Sequence, residues 1–472
     1  MLSGVKLLSY PTSHQKLILS QWMGCHRFIW NSKVEEELYY HTFAKKYSPI
    51  GTYSPIDQTT SQFKSKELTP WLYNCPSQIL RNSATNWYNT YQKFMKGKCG
   101  RPKRKSKMDR GSLHLTKELF HFDICSDGNI RLFIGSKTNN IGYLLFKKHK
   151  TFKLPNSMYI CKNRGKYTIS FCYEDSLDES SLLKNDEHLD FLRCATDEYL
   201  ENNVIACDRG VAIPVHTGES TFDFTEQQKQ KMERSERYIK RLQRRMARQV
   251  KGSNRRTKTK RRIVKQHAKK ANIRNDFAHK TSRSLVNGSA SVIIFEDLKT
   301  SNMTKRAKPK KDENGKYISN NAAQKTGLNK AILNVGWYNI ENYTKYKAYR
   351  AGKAVFKIPA HHTSQECSQC GHTHPNNRKT QDRFVCLSCG YADNADKNAS
   401  LVCKKRAIKL IKHTGTVLSE RGVLTILSDT GRGGKSKTGL SVGSSSICQR
   451  NVKKEKLEYV VSDLEARRFI YE

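Results

Sequence analysis

The sequence predicts a multidomain α/β chain, and three observations predict it. At 472 residues the chain has room for two to four domains of ordinary size. β-rich and helical stretches occupy separate regions in its first half, whereas apolar strands and helices alternate in its second. A C-x2-C-x15-C-x2-C pattern, Cys367, Cys370, Cys386 and Cys389, marks a short segment with too few apolar residues for a core of its own.

Charge sets the class of partner. Eighty-six Lys and Arg stand against 42 Asp and Glu, a formal net charge of +44. An excess of that size is expected of a protein that binds a polyanion, because neutralising phosphates releases condensed counterions. Apolar residues make up 36% of the chain, enough to fold. No run of 18 apolar residues occurs, and the opening Met1-Leu2-Ser3-Gly4-Val5-Lys6 lacks signal-peptide architecture. The expectation is a protein with no membrane partner, in a reducing cytoplasm. Ten further cysteines are scattered singly, several in apolar runs, as small buried hydrophobes are.

Along the chain, residues 4–9 read as a strand and Pro11-Thr12-Ser13 as a helix start, with Ser13 the expected cap. Leu17, Trp22 or Met23, Phe28 or Ile29, and Trp30 follow at helical spacing. Further helical stretches are expected at 57–70 and 76–96, closed by the basic turn Gly100-Arg101-Pro102-Lys103-Arg104-Lys105. Residues 112–173 alternate as strands do. Asn163-Arg164-Gly165-Lys166 between two apolar runs signals a hairpin, and a small sheet or β-barrel is the natural reading. Residues 174–201 hold ten acids and two bases, which reads as a solvated linker.

The second half opens on Val204-Ile205-Ala206-Cys207-Asp208, a strand ending in a carboxylate. Arg209-Gly210 then reads as a hairpin turn into Val211-Ala212-Ile213. A helical pair is expected over 226–287, with an apolar stripe at Met232, Ile239, Leu242, Met246 and Val250, turning at Lys251-Gly252-Ser253-Asn254. From Lys229 to Arg274 there are twenty Lys and Arg against Glu233 and Glu236, a local net of +18. That exceeds what solubility asks of an exposed face, and favours contact with a nucleic-acid backbone. A second strand, 290–298, ends in Glu296-Asp297. A polar segment (305–330), a helix around 331–351 and a strand at 354–358 follow, and after the cysteines a helix runs to about 411. Residues 431–446, rich in Gly and Ser, read as a flexible tail.

Asp208, Glu296 and Asp396 thus lie at element ends, where several carboxylates on hard oxygen-seeking Mg²⁺ would suit phosphodiester hydrolysis. Strand-end acids are common, however, and Asp396 or Asn394 could equally cap the helix that follows; Asp297 and Asp393 are neighbouring alternatives. The cysteines carry more. Each Cys-x-x-Cys sets two thiolates on a tight turn closed by Gly371 or Gly390, and two such turns build a closed, structural Zn²⁺ site. His361, His362, His372 and His374 read as surface residues beside it.

These strings resemble the TnpB family of insertion-sequence proteins, relatives of type V CRISPR effectors. Pro359-Ala360-His361-His362-Thr363-Ser364-Gln365-Glu366-Cys367-Ser368-Gln369-Cys370-Gly371 is similar to the entry of the family's zinc ribbon. Arg383-Phe384-Val385-Cys386-Leu387-Ser388-Cys389-Gly390 and Asp396-Lys397-Asn398-Ala399 are similar to its exit. Ile293-Ile294-Phe295-Glu296-Asp297-Leu298 resembles the middle RuvC motif and Asp208-Arg209-Gly210 the first. Tyr10-Pro11-Thr12, Cys25-His26-Arg27-Phe28-Ile29-Trp30-Asn31, Pro76-Ser77-Gln78 and Gly100-Arg101-Pro102-Lys103 match the N-terminal part. The likeness runs from about residue 5 to about 440.

The resemblance implies an RNase H-like RuvC nuclease domain (202–365 and 391–430) with an inserted zinc ribbon (366–390). It also implies an N-terminal β-barrel or wedge domain (1–12 and 109–173) and a helical recognition domain (13–108), besides the linker 174–201 and a tail at 431–472. It implies an RNA-guided, Mg²⁺-dependent DNA endonuclease that cuts beside a short flanking motif, with a guide RNA and target double-stranded DNA as partners. Asp208, Glu296 and Asp396 would hold two catalytic Mg²⁺ ions; Cys367, Cys370, Cys386 and Cys389 would hold structural Zn²⁺. The setting would be a prokaryotic cytoplasm, at the nucleoid. A nuclease-inactive guided repressor and an accessory transposition protein are the alternatives, and retention of all three acids favours the nuclease.

Overall fold

The structure, a computed structural model, describes residues 2–47, 56–106, 110–124, 130–176, 178 and 182–426. The expected tail lies outside the described residues. The chain divides into two compact units, Met1–Asp178 and Glu179–Glu472. Among the described residues no helix is long and apolar enough to cross a membrane.

The first unit is built on antiparallel strands. The strand Leu2–Ser9 (β1) pairs along its whole length with Lys166–Glu174, Leu2 facing Glu174 and Ser9 facing Tyr167. Its alternating burial places Val5 and Leu7 inward. The expected hairpin forms: Arg164 and Gly165 both adopt left-handed backbone (φ 55° and 77°), the geometry that a tight two-residue turn requires. A five-stranded and a three-stranded sheet result. The helices Ser13–Tyr39 (α1) and Ser77–Met95 (α2) share their core: Trp22, Ile29, Ile79 and Leu80 pack with Leu113 and Ile160.

Several expectations for this unit are corrected. Thr12, not Ser13, caps α1: its hydroxyl accepts from the Gln15 N–H at 3.2 Å while the Gln15 amide oxygen accepts from the Thr12 N–H at 3.0 Å. Leu17 points to solvent, so the buried stripe starts at Leu19. The stretch 57–70 forms no α-helix. It contributes only a 3₁₀ turn at Ser61–Phe63, with another at Pro70–Asn74, and is tied down by polar contacts such as Asp57 with the buried Lys33 ammonium at 2.7 Å.

The second unit is organised by three parallel strands in the order Ala354–Ile358, Val292–Glu296, Val204–Cys207. All five residues of the outer strand Ala354–Ile358 and of the middle strand are buried, because helices cover both faces. Val292 and Ile294 meet Cys403, Ala407 and Ile411 of the helix Ala395–Lys412 (α9) on one face. Ile293 and Phe295 meet Phe277, Leu285 and Ile340 on the other.

The acidic segment is not a linker. Residues Asn185–Cys194 (α3) and Asp197–Asn203 (α4) are helices whose Leu189, Leu192 and Leu200 complete the first of those cores. Their acids cluster in the first turns, where helix dipoles favour them, with Asp186, Glu187, Asp197 and Glu198 so placed. Val211-Ala212-Ile213 is not the return strand either: Asp208 pairs instead with His216, which leads a hairpin of Val215–His216 and Thr221–Phe222.

The helical pair forms as expected, Glu226–Ala247 (α5) and Asn254–Asn287 (α6), with Gly252 in left-handed backbone (φ 88°) at the turn. Val250 falls off the stripe and is exposed. The expected helix at 331–351 is two, Ala322–Val335 (α7) and Trp337–Arg350 (α8), divided by Gly336 at φ 80°. The first of them begins within the polar segment 305–330.

Candidate functional site

Asp208 follows the last residue of the strand Val204–Cys207, and Glu296 ends the adjacent strand in parallel register, so both arrive at one edge of the sheet. Asp396 sits in the first turn of α9, the helix that packs on this sheet. Asn394 resolves the capping ambiguity: its side-chain oxygen accepts from the N–H groups of Asp396 and Lys397 at 3.0 and 3.2 Å. The Asp396 carboxylate is therefore not consumed as a cap.

Electrostatics link the three. Burial, followed by the charges of Glu296 and Asp396, pushes the Asp208 carboxyl up to about 8, with Arg378 acting in the opposite sense. Three carboxyl groups thus converge, with the Arg378 guanidinium beside them. They are not gathered as tightly as the cysteines, whose four sulfurs are the only set among the described residues with ligand atoms all within 4.8 Å.

The surrounding side chains hold each acid in place. Glu296 is 5% exposed and accepts a 2.6 Å hydrogen bond from the Thr363 hydroxyl, with the Cys403 thiol 3.8 Å away. Asp396 meets Arg378 at 3.1 Å. Beneath Glu296, Arg209 donates to its backbone carbonyl, stacks 5.4 Å above the Phe295 ring and pairs with Glu341 at 3.0 Å. Lys357 joins Glu341 to Asp297, at 3.6 and 2.9 Å. A glycine is required at 210, since a Cβ there would stand 2.6 Å from the Ile213 carbonyl oxygen. The neighbouring acids are engaged elsewhere: Asp297 with Lys357, and Asp393 with Lys397 at 3.1 Å and the Tyr391 hydroxyl at 2.6 Å.

Sequence reasoning missed Thr363, Arg378 and the Arg209–Glu341–Lys357–Asp297 network. Thr363 and Arg378 lie in loops with no periodic pattern. Arg209, beside a strand-end acid, carried a visible signal, because an Arg between apolar runs needs an acidic partner when buried.

The cysteines come together as their spacing predicts. Cys367 and Cys389 sulfurs are 3.7 Å apart, and those of Cys370 and Cys386 are 3.6 Å apart. A tetrahedron with Zn–S bonds of about 2.3 Å has edges of roughly 3.8 Å, so the cluster already has the dimensions of a four-thiolate zinc site. Gly371 and Gly390 both take left-handed backbone (φ 75° and 74°), turning each loop around its thiols. Desolvation opposes ionisation of Cys386, but the N–H groups of Cys389 and Ser388 outweigh it and hold the thiol down to about 6. The antiparallel pair Arg383–Val385 and Ala392–Asn394 joins this segment to α9.

Three family models match in order along the chain: a helix-turn-helix domain (HTH_OrfB_IS605) at 1–41, a probable transposase (OrfB_IS605) at 185–307, and a Cas12f1-like TNB domain at 337–403. A putative RNA-guided DNA endonuclease, InsQ, of Escherichia coli K12 is 27% identical over 84% of this chain and 90% of its own length. One from Streptomyces pristinaespiralis is 23% identical over 83% and 86%. The Cas12f1 endodeoxyribonuclease of Sulfoacidibacillus thermotolerans is 44% identical over 69 residues, 15% of this chain and 16% of the relative. A cryo-EM structure of a Cas12f1–sgRNA–target DNA complex aligns at a TM-score of 0.47 and 11% identity, over 86% of this chain and 98% of that one. With these models in sequence and relatives aligned over most of its length, the chain is similar to the TnpB family of insertion-sequence proteins.

Proposed function

We propose that the chain is an RNA-guided DNA endonuclease whose Asp208, Glu296 and Asp396 form its hydrolytic centre. The observation that carries the reading is the convergence of these acids at one edge of the parallel sheet, where burial first, and then the charges of Glu296 and Asp396, hold Asp208 at about 8. Such a cluster is costly without a cation, and its all-oxygen donor set suits Mg²⁺. The names of the two relatives aligned over most of the chain, each a "Putative RNA-guided DNA endonuclease", support the same activity.

In this reading the three carboxylates hold Mg²⁺, which would activate water and neutralise charge on the leaving oxygen. Thr363 fixes the Glu296 carboxylate by donating to it, and Arg378 orients Asp396. The Arg209–Glu341–Lys357–Asp297 network keeps neighbouring charges paired and the strand ends rigid. Cys367, Cys370, Cys386 and Cys389 would hold Zn²⁺ with no open position, and so have a structural role. Base pairing with the guide would read the target, while the protein reads backbone shape and a short flanking motif.

The domain reading follows. Residues 202–365 and 391–430 would be the RNase H-like RuvC domain, extended back to the helices from 185, with 366–390 as its zinc ribbon. Residues 1–12 and 109–173 would be the barrel or wedge, and 13–108 the recognition helices.

The test is to purify the protein with RNA transcribed from its own locus, sequence that RNA, and challenge the complex with a randomised DNA library in Mg²⁺. Cleavage is expected only of guide-matched DNA beside one short motif, and Asp208→Ala should abolish it while leaving RNA bound. Guided binding without cleavage would mark a repressor; absence of bound RNA would overturn the reading.

A further inference from the structure

The charge of the helical pair is not spread evenly along it. Its base is compensated, since Glu236 pairs with Lys270 at 3.1 Å and with Lys330. Its tip is not. Arg245 on α5, Arg248 just past its end, and Arg255, Lys258 and Arg262 on α6 line one cleft of about 630 Å³. All five are exposed, and among the described residues none of them pairs with a carboxylate.

The cleft is built rather than incidental. Ile239, Leu242 and Ile263 form a small core that holds the two helices together below it. Arg256 is turned away from the cleft and donates to the carbonyls of Met246 and Gln249, the latter at 2.9 Å, closing the end of α5. Thr259, 4% exposed, lies in the floor and donates to the Arg255 carbonyl at 3.1 Å. The Gln249 side-chain oxygen, also buried, has no partner. Arg255, Lys258 and Arg262 follow at i, i+3 and i+7, so they share one helix face and span about 10 Å along it.

We infer that this cleft binds the phosphodiester backbone of a folded stretch of the guide RNA. The inference rests on the reading under Proposed function. Its lining carries no aromatic ring, so bases have nothing to stack on, and a single strand would lose the larger share of its usual affinity. A backbone held in a fixed arrangement by base pairing suits such a row of cations better. RNA is favoured over the DNA being cut because of distance. Phe277 of α6 packs under the sheet, and Thr259 stands 18 residues earlier on the same helix, about 27 Å along its axis. A segment held that far along the helix from the sheet need not reach the reacting phosphate, which suits the guide rather than the strand being cut.

The RNA that co-purifies with the wild-type protein is the probe, resynthesised and titrated against full-length protein at several salt concentrations. A duplex DNA of equal length is titrated in parallel. The variant R255Q/K258Q/R262Q removes three charges from the cleft. R237Q/K240Q/R244Q removes three exposed charges from the same arm outside it, and matched thermal unfolding checks the fold of both. The cleft variant should lose more than tenfold in RNA affinity, and its salt slope should flatten by about 2 to 3, since each phosphate contact contributes roughly 0.7–0.9. The control variant should lose less than threefold.

Equal losses in the two variants would overturn the inference, leaving only a diffuse field. Unchanged RNA affinity with weakened DNA affinity would overturn it too, and give the cleft to DNA. If the cleft variant alone loses RNA, but the RNA directs no cutting by the wild type, this inference stands and the nuclease reading fails.

Discussion

Asp208→Asn keeps the shape of the side chain and removes its charge, so it should stabilise the metal-free protein while abolishing cleavage. The Asp208 carboxyl stands at about 8, against 3.8 for an unperturbed aspartate. Between those values the folded chain holds a proton that the unfolded chain releases. This contribution to stability is therefore complete below pH 3.8 and is lost as pH rises towards 8. Each unit is worth about 1.36 kcal/mol, so at pH 7 the gap of roughly three units sets a ceiling of about 4 kcal/mol. Asn carries no such cost. For a unit of this size, 1 kcal/mol moves the midpoint by about 2–4 °C, and the variant should melt roughly 10 °C higher at pH 7. At pH 4.5 the gain should shrink to about 3 °C. Thermal unfolding followed by tryptophan fluorescence, in Mg²⁺-free buffer with zinc supplied, measures both. Adding Mg²⁺ should raise the wild-type midpoint and leave the variant unmoved. A gain that ignores pH, or a loss at pH 7, would refute the argument that burial and neighbouring charge raise Asp208.

Three further outcomes follow from other parts of the molecule. The purified chain should contain one zinc per molecule by elemental analysis, and Cys386→Ser should lower that content together with folded yield, because it opens a closed four-thiolate site. Arg209→Met should leave the half-buried Glu341 with Lys345 and Lys357 but without one of its three cationic partners, costing less in denaturant unfolding than the roughly 3–5 kcal/mol of a wholly uncompensated buried charge, whereas Arg209→Lys should recover part of it. His188 is buried and held down to about 4, chiefly by desolvation. Its neutral form stabilises the fold above pH 6.5, and that contribution, about 3 kcal/mol at most, is lost as pH falls from 6.5 to 4; His188→Leu should remove this acid-side slope from a pH series of midpoints.

The candidate site was legible in the sequence to the extent that its geometry is local. Asp208 and Glu296 could be read because each closes an apolar run, and the cysteines because their spacing is a property of two tight turns. Asp396 stayed ambiguous, since a helix start offers caps and ligands in the same few residues; only the hydrogen bonds of Asn394 separate them. Thr363, Arg378 and Glu341 were invisible because what they touch lies 18 to 132 residues away in the chain. The acidic segment was misread for a different reason. Its charge suggested solvent, but Leu189 and Leu192 stand three apart on α3 and Leu200 faces the same core from α4, and in short amphipathic helices the apolar face decides the placement. At 57–70, helical pattern alone was too weak to predict an α-helix without a tertiary face to bury.

The order of the strands also sets a timetable. The three carboxylates come from positions 208, 296 and 396, and the sheet that gathers them has only long-range, parallel pairings. Such pairings form late, and a chain emerging from the ribosome folds its N-terminal part first. The antiparallel unit at the front is complete nearly 220 residues before Asp396 has been synthesised. Products of interrupted translation short of that point therefore lack an acid of the trio. They can still carry the basic arm. A product that stops short of Asp396 would bring the basic helices to nucleic acid with only two of the three acids proposed to hold the metal.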